Sequence, residues 1–227
     1  MTDLKLAVFD VDGTLIDSQD FIVEAMLRAF GHMGVDLPAR ADVLSITGLS
    51  LPIAIARLMP TLSKGEVAAA ADAYKTAFIA LRAEKGGEAA SPMYPGARDA
   101  LVSLSQRDEV LMGVATGKAK RGLDHACAAH DLDGFFITRQ TADTHPSKPH
   151  PSMLLATLAD TGAEAAHAVM IGDTTYDIDM GRAAGFRTIG VSWGYHPAAD
   201  LVAAGADIVV DTFAGLIPAL DELWGQA

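Results

Sequence analysis

Short apolar runs alternate along the chain with segments of helical periodicity, most of them rich in alanine and leucine. Continuous apolar runs separated by helices are typical of strands buried in a parallel sheet with helices on both faces. The sequence therefore predicts an α/β fold with a doubly wound parallel sheet, in which ligands bind at the carboxyl ends of the strands. The six predicted strands cover residues 6–11, 110–115, 135–138, 168–171, 188–191 and 208–210.

The alternation is interrupted between residues 18 and 88, where helical patterns occur without a convincing strand. Apolar residues recur at helical spacing from Phe21 onward. Ser63 and Glu66 have the spacing of a capping box, which predicts a helix that runs to about Glu84. The segment 18–88, called the helical insert below, is therefore predicted to be an all-helical domain.

The position of the helical insert suggests a role. It follows the first predicted strand directly and is joined to the rest of the chain by two linkers, as a lid over a site at the end of that strand would be. We expect the Lys-Gly-Gly sequence at 85–87 to end its last helix. The predicted division is a catalytic core formed by residues 1–17 and 89–227, with the insert at 18–88 between them.

Composition and charge narrow the range of functions. With 29 acidic and 17 basic residues among 227, the chain has a formal net charge of −12, which argues against nucleic acid and anionic membranes as partners. Cys127 is the single cysteine, lies in an alanine-rich apolar stretch and is predicted to be a buried structural thiol. Without a signal-peptide pattern or a stretch of membrane-spanning length, we expect a cytoplasmic protein.

The first candidate for chemistry is the pair Asp10 and Asp12, which follows the first apolar run. In a strand, residues two apart point to the same side, so both carboxylates can face one reacting group, and Gly13 allows close backbone approach. Such a pair suits a nucleophile beside an acid/base, with a hard cation nearby. A calcium loop is excluded, because its twelfth position requires glutamate and Phe21 stands there.

Three further signals lie after other predicted strands. Thr116 and Gly117 can hold an anion with a hydroxyl and backbone N–H groups. Lys148, in a loop stiffened by prolines, is a point charge suited to a phosphoryl oxygen or an aspartate. Asp173 and Asp177 share a face if a helix starts between them. Four carboxylates converging on one point require a cation, for which Mg²⁺ is the natural candidate.

These motifs, in this order, resemble those of the haloacid dehalogenase superfamily on its phosphatase side. The resemblance covers nearly the whole chain and implies a Rossmann-like core with a helical cap. Residues 189–195 and 204–207 further resemble the phosphoglycolate phosphatase branch, whose cap is inserted where residues 18–88 lie. The motifs that carry the resemblance are Asp-x-Asp-Gly-Thr at 10–14, Thr116, Lys148 and Gly-Asp-x-x-x-Asp at 172–177.

The resemblance also implies roles. Asp10 would attack phosphorus and form an aspartyl-phosphate, and Asp12 would protonate the leaving alcohol and then activate water. Thr116 and Lys148 would hold the phosphoryl oxygens. The implied ligands of Mg²⁺ are Asp10, the backbone carbonyl of Asp12, and Asp173, with Asp177 binding through water or orienting Lys148.

The expected substrate is a small phosphorylated metabolite, of which phosphoglycolate is one example. Gly117 is expected to contact the phosphate, and the loop at 46–50, which contains Gly48, to contribute to substrate choice. For that loop an ordinary helix turn is an equally good interpretation. The sequence leaves the substrate open, and it is compatible with a monomer or a homodimer.

Several alternative functions stay open at this point. A haloacid dehalogenase is disfavoured because its family lacks the second aspartate, here Asp12. A sugar-phosphate mutase would need an acid/base residue from the insert, and His32 is better explained as a helix-end residue. A pyrophosphatase or nucleotide phosphatase is harder to exclude. The non-enzyme alternative is a phospho-accepting module, in which Asp12 would have no purpose.

Overall fold

A sheet of six parallel strands forms the centre of the computed structural model, which describes residues 4–36, 38–86 and 91–225. The strand order is β3-β2-β1-β4-β5-β6. From β1 the chain adds β2 and β3 on one side, and then β4, β5 and β6 on the other. The predicted doubly wound α/β fold is confirmed. The strands are β1 Lys5–Phe9, β2 Val110–Thr116, β3 Thr138–Thr141, β4 Ala168–Gly172, β5 Arg187–Val191 and β6 Ile208–Val210.

The adjacency of β1 and β4 creates the topological switch point of the sheet. Phe9 pairs with Ile171 in the parallel register, and the Asp10 N–H donates to the Ile171 carbonyl at 2.9 Å. The residues that follow these two strands therefore leave the sheet side by side and at the same level. This is the place where open α/β sheets bind ligands.

The prediction for the third strand was wrong in position. Residues 135–138 were expected to form it, whereas β3 is Thr138–Thr141. Phe136 is buried and lies against Phe9, with ring centroids 6.4 Å apart, while Ile137 is 63% exposed. The apolar run thus anchors the loop that precedes the strand, and the strand itself is polar because it lies at the sheet edge.

Alternate residues of the strands pack on opposite faces of the sheet. In β1, Ala7 and Phe9 belong to the apolar cluster that also contains Leu101, Leu220 and the buried Cys127. On the other face, Leu6 and Val8 of β1 pack with Met153 and Met180. This period of two is what a strand buried on both faces produces, and the burial of Cys127 is as predicted.

Ten α-helices complete the described part of the chain, and none of them is both long and apolar enough to cross a membrane. Four of them fall between β1 and β2 in the helical insert, and the remaining six belong to the core. They are α1 Gln19–Met33, α2 Arg40–Ser45, α3 Leu51–Leu58, α4 Lys64–Lys85, α5 Ala97–Ser105, α6 Lys120–Ala129, α7 Ser152–Thr161, α8 Thr175–Ala183, α9 Ala198–Ala204 and α10 Leu216–Gly225.

The helical insert has an apolar cluster of its own, in which Met26 and Phe30 of α1 pack with Ile55 and Ala70. The predicted capping box of α4 is present: Glu66 Oε2 accepts from the Ser63 N–H at 2.8 Å, and Ser63 Oγ accepts from the Glu66 N–H at 3.3 Å. Helix α4 ends at Lys85 and is capped by Gly86, which has φ = 80°. Gly87, also expected at this helix end, lies outside the described residues. The domain boundaries at 18 and 88 stay predictions.

The insert is docked on the core through its 46–50 loop and through Ser45, the last residue of α2. The Ser50 N–H donates to Ser147 Oγ at 2.8 Å, and the Tyr176 hydroxyl donates to the Ser45 carbonyl at 2.8 Å. Gly117, directly after β2, packs against the backbone of Gly48. The backbone of the insert is therefore in direct contact with the backbone that follows β2.

Replacing Ser63 by alanine removes the side-chain acceptor that caps α4. We expect the free energy of unfolding, measured by urea denaturation, to fall by about 1 kcal/mol. Ser103→Ala is the matched control, because the Ser103 hydroxyl only donates to the Asp99 carbonyl within α5 and should change stability by less than about 0.5 kcal/mol. Equal losses in both variants would contradict the capping role.

Replacing Gly117 by alanine tests the docking of the insert. The added Cβ would collide with the Gly48 carbonyl oxygen and lie 2.8 Å from that of Leu49, and backbone cannot swing aside as a side chain can. We expect faster proteolytic cleavage in the 46–50 loop while the core stays folded. Gly134→Ala, where a Cβ meets nothing within 4 Å, should cleave like the parent protein. An unchanged rate for Gly117→Ala would show that the contact does not hold the insert down.

Candidate active site

The chain turns sharply after β1 and thereby places Asp10 in the interior. The N–H groups of Leu15 and Ile16 both donate to the Val11 carbonyl, and Gly13 has φ = 88°, a conformation that favours glycine. The Val11 N–H in turn donates to Asp10 Oδ1 at 2.7 Å. As a result the Asp10 side chain is fixed at the switch point of the sheet with only 1% of its surface exposed.

Three buried carboxylates converge there. Asp10, Asp173 and Asp177 each offer an oxygen, and these oxygens lie within 4.8 Å of one another. Lys148 is buried beside them, with Nζ 2.9 Å from Asp10 Oδ2 and 2.6 Å from Asp177 Oδ1. The structure thus brings together four of the predicted site residues, with three potential negative charges and one positive charge.

The electrostatics of this cluster favour a further cation. Burial raises the pKa of Asp10 to about 6, against the lowering effect of Lys148 and with a further raising effect from Asp177. Burial also raises the pKa of Asp173 well above its usual value, helped by repulsion from Asp177 and Asp10. For Lys148, burial works to lower the pKa, but attraction to the two aspartates outweighs it and raises the pKa.

Hydrogen bonds fix the two aspartates that follow β4. Asp177, in the first turn of α8, accepts from the Thr174 N–H at 3.0 Å and from the Thr174 hydroxyl at 2.7 Å, which forms a capping box. Asp173 accepts from the Thr14 hydroxyl at 2.9 Å and from the Tyr195 N–H at 2.9 Å. Sequence reasoning missed Thr14 and Tyr195 as partners of Asp173, although both stand in the segments that carry the resemblance.

Glycines make room for these carboxylates. A Cβ on Gly13 or on Gly194 would collide with the Asp173 side chain, and one on Gly172 would collide with Asp177. The carboxylates are therefore packed directly against the backbone at these glycines. Glycine at these positions is therefore required by the packing of the cluster, as well as by the turn at Gly13.

The donor set fits a hard divalent cation. All three carboxylates supply oxygen, which is the ligand that such ions prefer. A cation would also relieve the repulsion that raises the pKa of Asp10 and Asp173. Within residues 4–36, 38–86 and 91–225, no other group of three or more His, Cys, Asp or Glu side chains is placed to hold an ion, so the histidines form no such site there.

Asp12 lies apart from this cluster and is paired differently. Its Oδ2 is 2.7 Å from Lys118 Nζ, and its Oδ1 accepts from the Ser18 hydroxyl at 2.6 Å. The Lys118 ammonium also lies over the ring of Phe78 in α4, 5.3 Å from its centroid. Lys118 was not among the predicted site residues, and the only signal for it in the sequence is its place directly after Thr116 and Gly117.

The remaining predicted residues meet at one cavity. Asp10, Asp12, Thr116, Gly117 and Gly48 all line it. Thr116 is buried at the end of β2, and its hydroxyl accepts from the Lys118 N–H at 3.2 Å. The buried carboxylate of Asp10 and the ion-paired carboxylate of Asp12 therefore border one space, while Asp173, Asp177 and Lys148 adjoin Asp10 and are not among the lining residues.

Comparison with known proteins gives a consistent result. A family model described as haloacid dehalogenase-like hydrolase matches residues 7–191. The chain is 34% identical to "Probable phosphatase IndB" of Dickeya dadantii, over 96% of this chain and 94% of that one. It is 28% identical to a protein named phosphoglycolate phosphatase of Photobacterium profundum, over 94% of each chain.

A solved structure of a hydrolase from Pseudomonas syringae matches the fold with a TM-score of 0.84 and 25% identity, over 96% of this chain and 98% of that one. The resemblance seen in the motifs is thereby confirmed. This chain belongs to the haloacid dehalogenase-like hydrolase family.

Proposed function

We propose that the protein is a Mg²⁺-dependent phosphomonoester hydrolase that works through an aspartyl-phosphate on Asp10. The observation that carries this proposal is that Asp10, which is buried in a cluster with Asp173, Asp177 and Lys148, lines a cavity that Asp12 also lines. A carboxylate that is held rigidly and flanked by cations is suited to attack a phosphoryl group, whose charge those cations stabilise.

In the first step the Asp10 carboxylate forms a bond to phosphorus, and the bond between phosphorus and the ester oxygen breaks. Asp12 gives its proton to the departing alkoxide, so the product leaves as the alcohol. In the second step Asp12 takes a proton from a water molecule that attacks the aspartyl-phosphate. Inorganic phosphate leaves, and Asp10 is again a free carboxylate.

The other residues stabilise charge and fix positions. Lys148 reaches Asp10 at 2.9 Å and neutralises part of the charge on the phosphoryl oxygens, with the Thr116 hydroxyl and the Gly117 N–H as further donors. Asp177 holds Lys148 through its 2.6 Å contact. Asp10, the Asp12 carbonyl and Asp173 would hold Mg²⁺, which when bound supplies positive charge against the substrate phosphate.

The substrate is proposed to be a phosphorylated metabolite. The name of the Photobacterium relative supports 2-phosphoglycolate as one candidate. Pyrophosphate, nucleotides and hexose phosphates belong to the same test, because the sequence leaves them open. Glucose 1,6-bisphosphate formed from a hexose phosphate would instead indicate a mutase.

The first test is phosphate release from a panel of phosphate esters and pyrophosphate, with Mg²⁺ and then with EDTA. The panel includes an aryl phosphate, which reports hydrolysis even when the natural alcohol is missing. We expect metal-dependent release that is lost with EDTA. Absence of release from every member, the aryl ester included, would rule out the proposed hydrolase.

The nucleophile is tested by Asp10→Asn, which keeps the shape of the side chain and removes its charge. We expect turnover to disappear while the protein stays folded, because burial already disfavours that charge. Asp179→Asn is the matched control: Asp179 is exposed on α8, close in sequence to Asp177, and should keep full activity. Substantial activity in Asp10→Asn would mean that another group attacks phosphorus.

The raised pKa of Asp10 makes metal binding depend on pH. Below its value of about 6 the carboxyl group carries a proton, which a metal ion must displace. We expect Mg²⁺ to raise Tm more at about pH 7.5 than at about pH 5, because protons compete for the same oxygens. Scans with EDTA at both pH values serve as the baseline. An equal shift at both would show that no buried carboxylate of raised pKa binds the ion.

A further inference from the structure

The cavity above the aspartates is far larger than a two-carbon phosphate needs. Its volume is about 1010 Å³, and it extends from Asp10 and Asp12 to the helices of the insert. Ligand pockets for molecules of drug size span roughly 300–1,000 Å³. A phosphoryl group on Asp10 would occupy only one end, so most of the space is available to the alcohol part of the substrate.

An undocked insert does not explain this space. The Ser50 N–H is bonded to Ser147, the Tyr176 hydroxyl is bonded to the Ser45 carbonyl, and Gly48 is packed on Gly117. The cavity is therefore present while the lid is in contact with the core.

The walls that the insert contributes are mainly apolar. Tyr74 and Phe78 of α4 are half-buried and present surface to the cavity, whereas Ile22, Met26 and Leu49 are buried in the apolar cluster of the insert. The carboxylate of phosphoglycolate would lose water against such a surface and would need one of the cations that also line the cavity, Lys75, Arg82 or Arg121, as a partner. An apolar group placed there gains the free energy of its own burial.

We infer that the preferred substrate is a phosphomonoester whose alcohol carries an extended or ring-sized apolar body, lying against the half-buried rings of Tyr74 and Phe78. This inference rests on the proposed phosphatase activity and names the substrate class for the same site. It departs from the expectation of a two-carbon substrate such as phosphoglycolate.

A series of primary alkyl phosphates tests the inference, because the leaving alkoxides differ little in basicity while the apolar length varies. The series runs from ethyl through butyl and hexyl to 2-phenylethyl phosphate, with 2-phosphoglycolate for comparison. We expect kcat/KM to rise along the series by up to about fourfold per methylene that enters the cavity. 2-Phosphoglycolate should fall below hexyl and 2-phenylethyl phosphate.

Two isoleucines of the insert allow a matched pair of variants. Ile79 lines the cavity and is 55% exposed, whereas Ile53 is 51% exposed on α3 and is not among the lining residues. Because both are exposed, either change to asparagine should leave the protein folded. Ile79→Asn should lower kcat/KM for the longest substrates and leave ethyl phosphate unchanged, while Ile53→Asn should reproduce the parent series.

The results separate this inference from the proposed function. Metal-dependent release that is flat along the series, or highest for phosphoglycolate, would overturn the inference and leave the phosphatase standing. A higher kcat/KM for a hexyl phosphate that carries a terminal carboxylate would also overturn the inference and leave the phosphatase standing. Arg82 and Arg121, which line the cavity as well, would then be the groups that recognise the substrate. No release from any member would overturn the phosphatase proposal and the inference with it.

Discussion

The burial of three carboxylates around one lysine is the constraint on which the rest of the structure depends. Removing even one unpaired charge from water costs several kcal/mol, so Asp10, Asp173 and Asp177 need a fixed set of partners. Lys148 lies between Asp10 and Asp177, while each remaining oxygen accepts a hydrogen bond from a hydroxyl or an N–H group. A site held in this way has its carboxylates in position before a metal ion could bind to them.

The sheet topology is what makes this convergence possible. Because β1 and β4 are neighbours in register, Asp10 and Asp173 leave adjacent strands at the same height. The start of α8 then returns Asp177 to the same point through a capping box, so one interaction caps the helix and also positions a carboxylate. Fold and site are therefore established by the same hydrogen bonds.

Sequence reasoning located the charged residues of the cluster because each follows a predicted buried strand or stands in a stiff loop beside a predicted helix. It misplaced β3, since the apolar Phe136 serves as an anchor before a polar edge strand. It also missed the pairing of Asp12 with Lys118, which are 106 residues apart and meet only through the packing of β2 beside β1. The hydrogen bond from the Tyr195 N–H could not be predicted from residue type, because every residue except proline has a backbone N–H.

The core and the helical insert contribute different kinds of residue to the site. In the described residues, every carboxylate of the cluster comes from the core, so the proposed phosphoryl chemistry rests on core residues. The insert adds a largely apolar wall and the contacts at Ser45, Gly48 and Ser50 that dock it on the core. Lys118 is where the two parts meet, because its ammonium is paired with Asp12 and lies over Phe78. A substrate body that fills the space beside Phe78 therefore also lies next to the ion pair of the proposed acid/base, which places substrate choice and proton transfer within contact of each other.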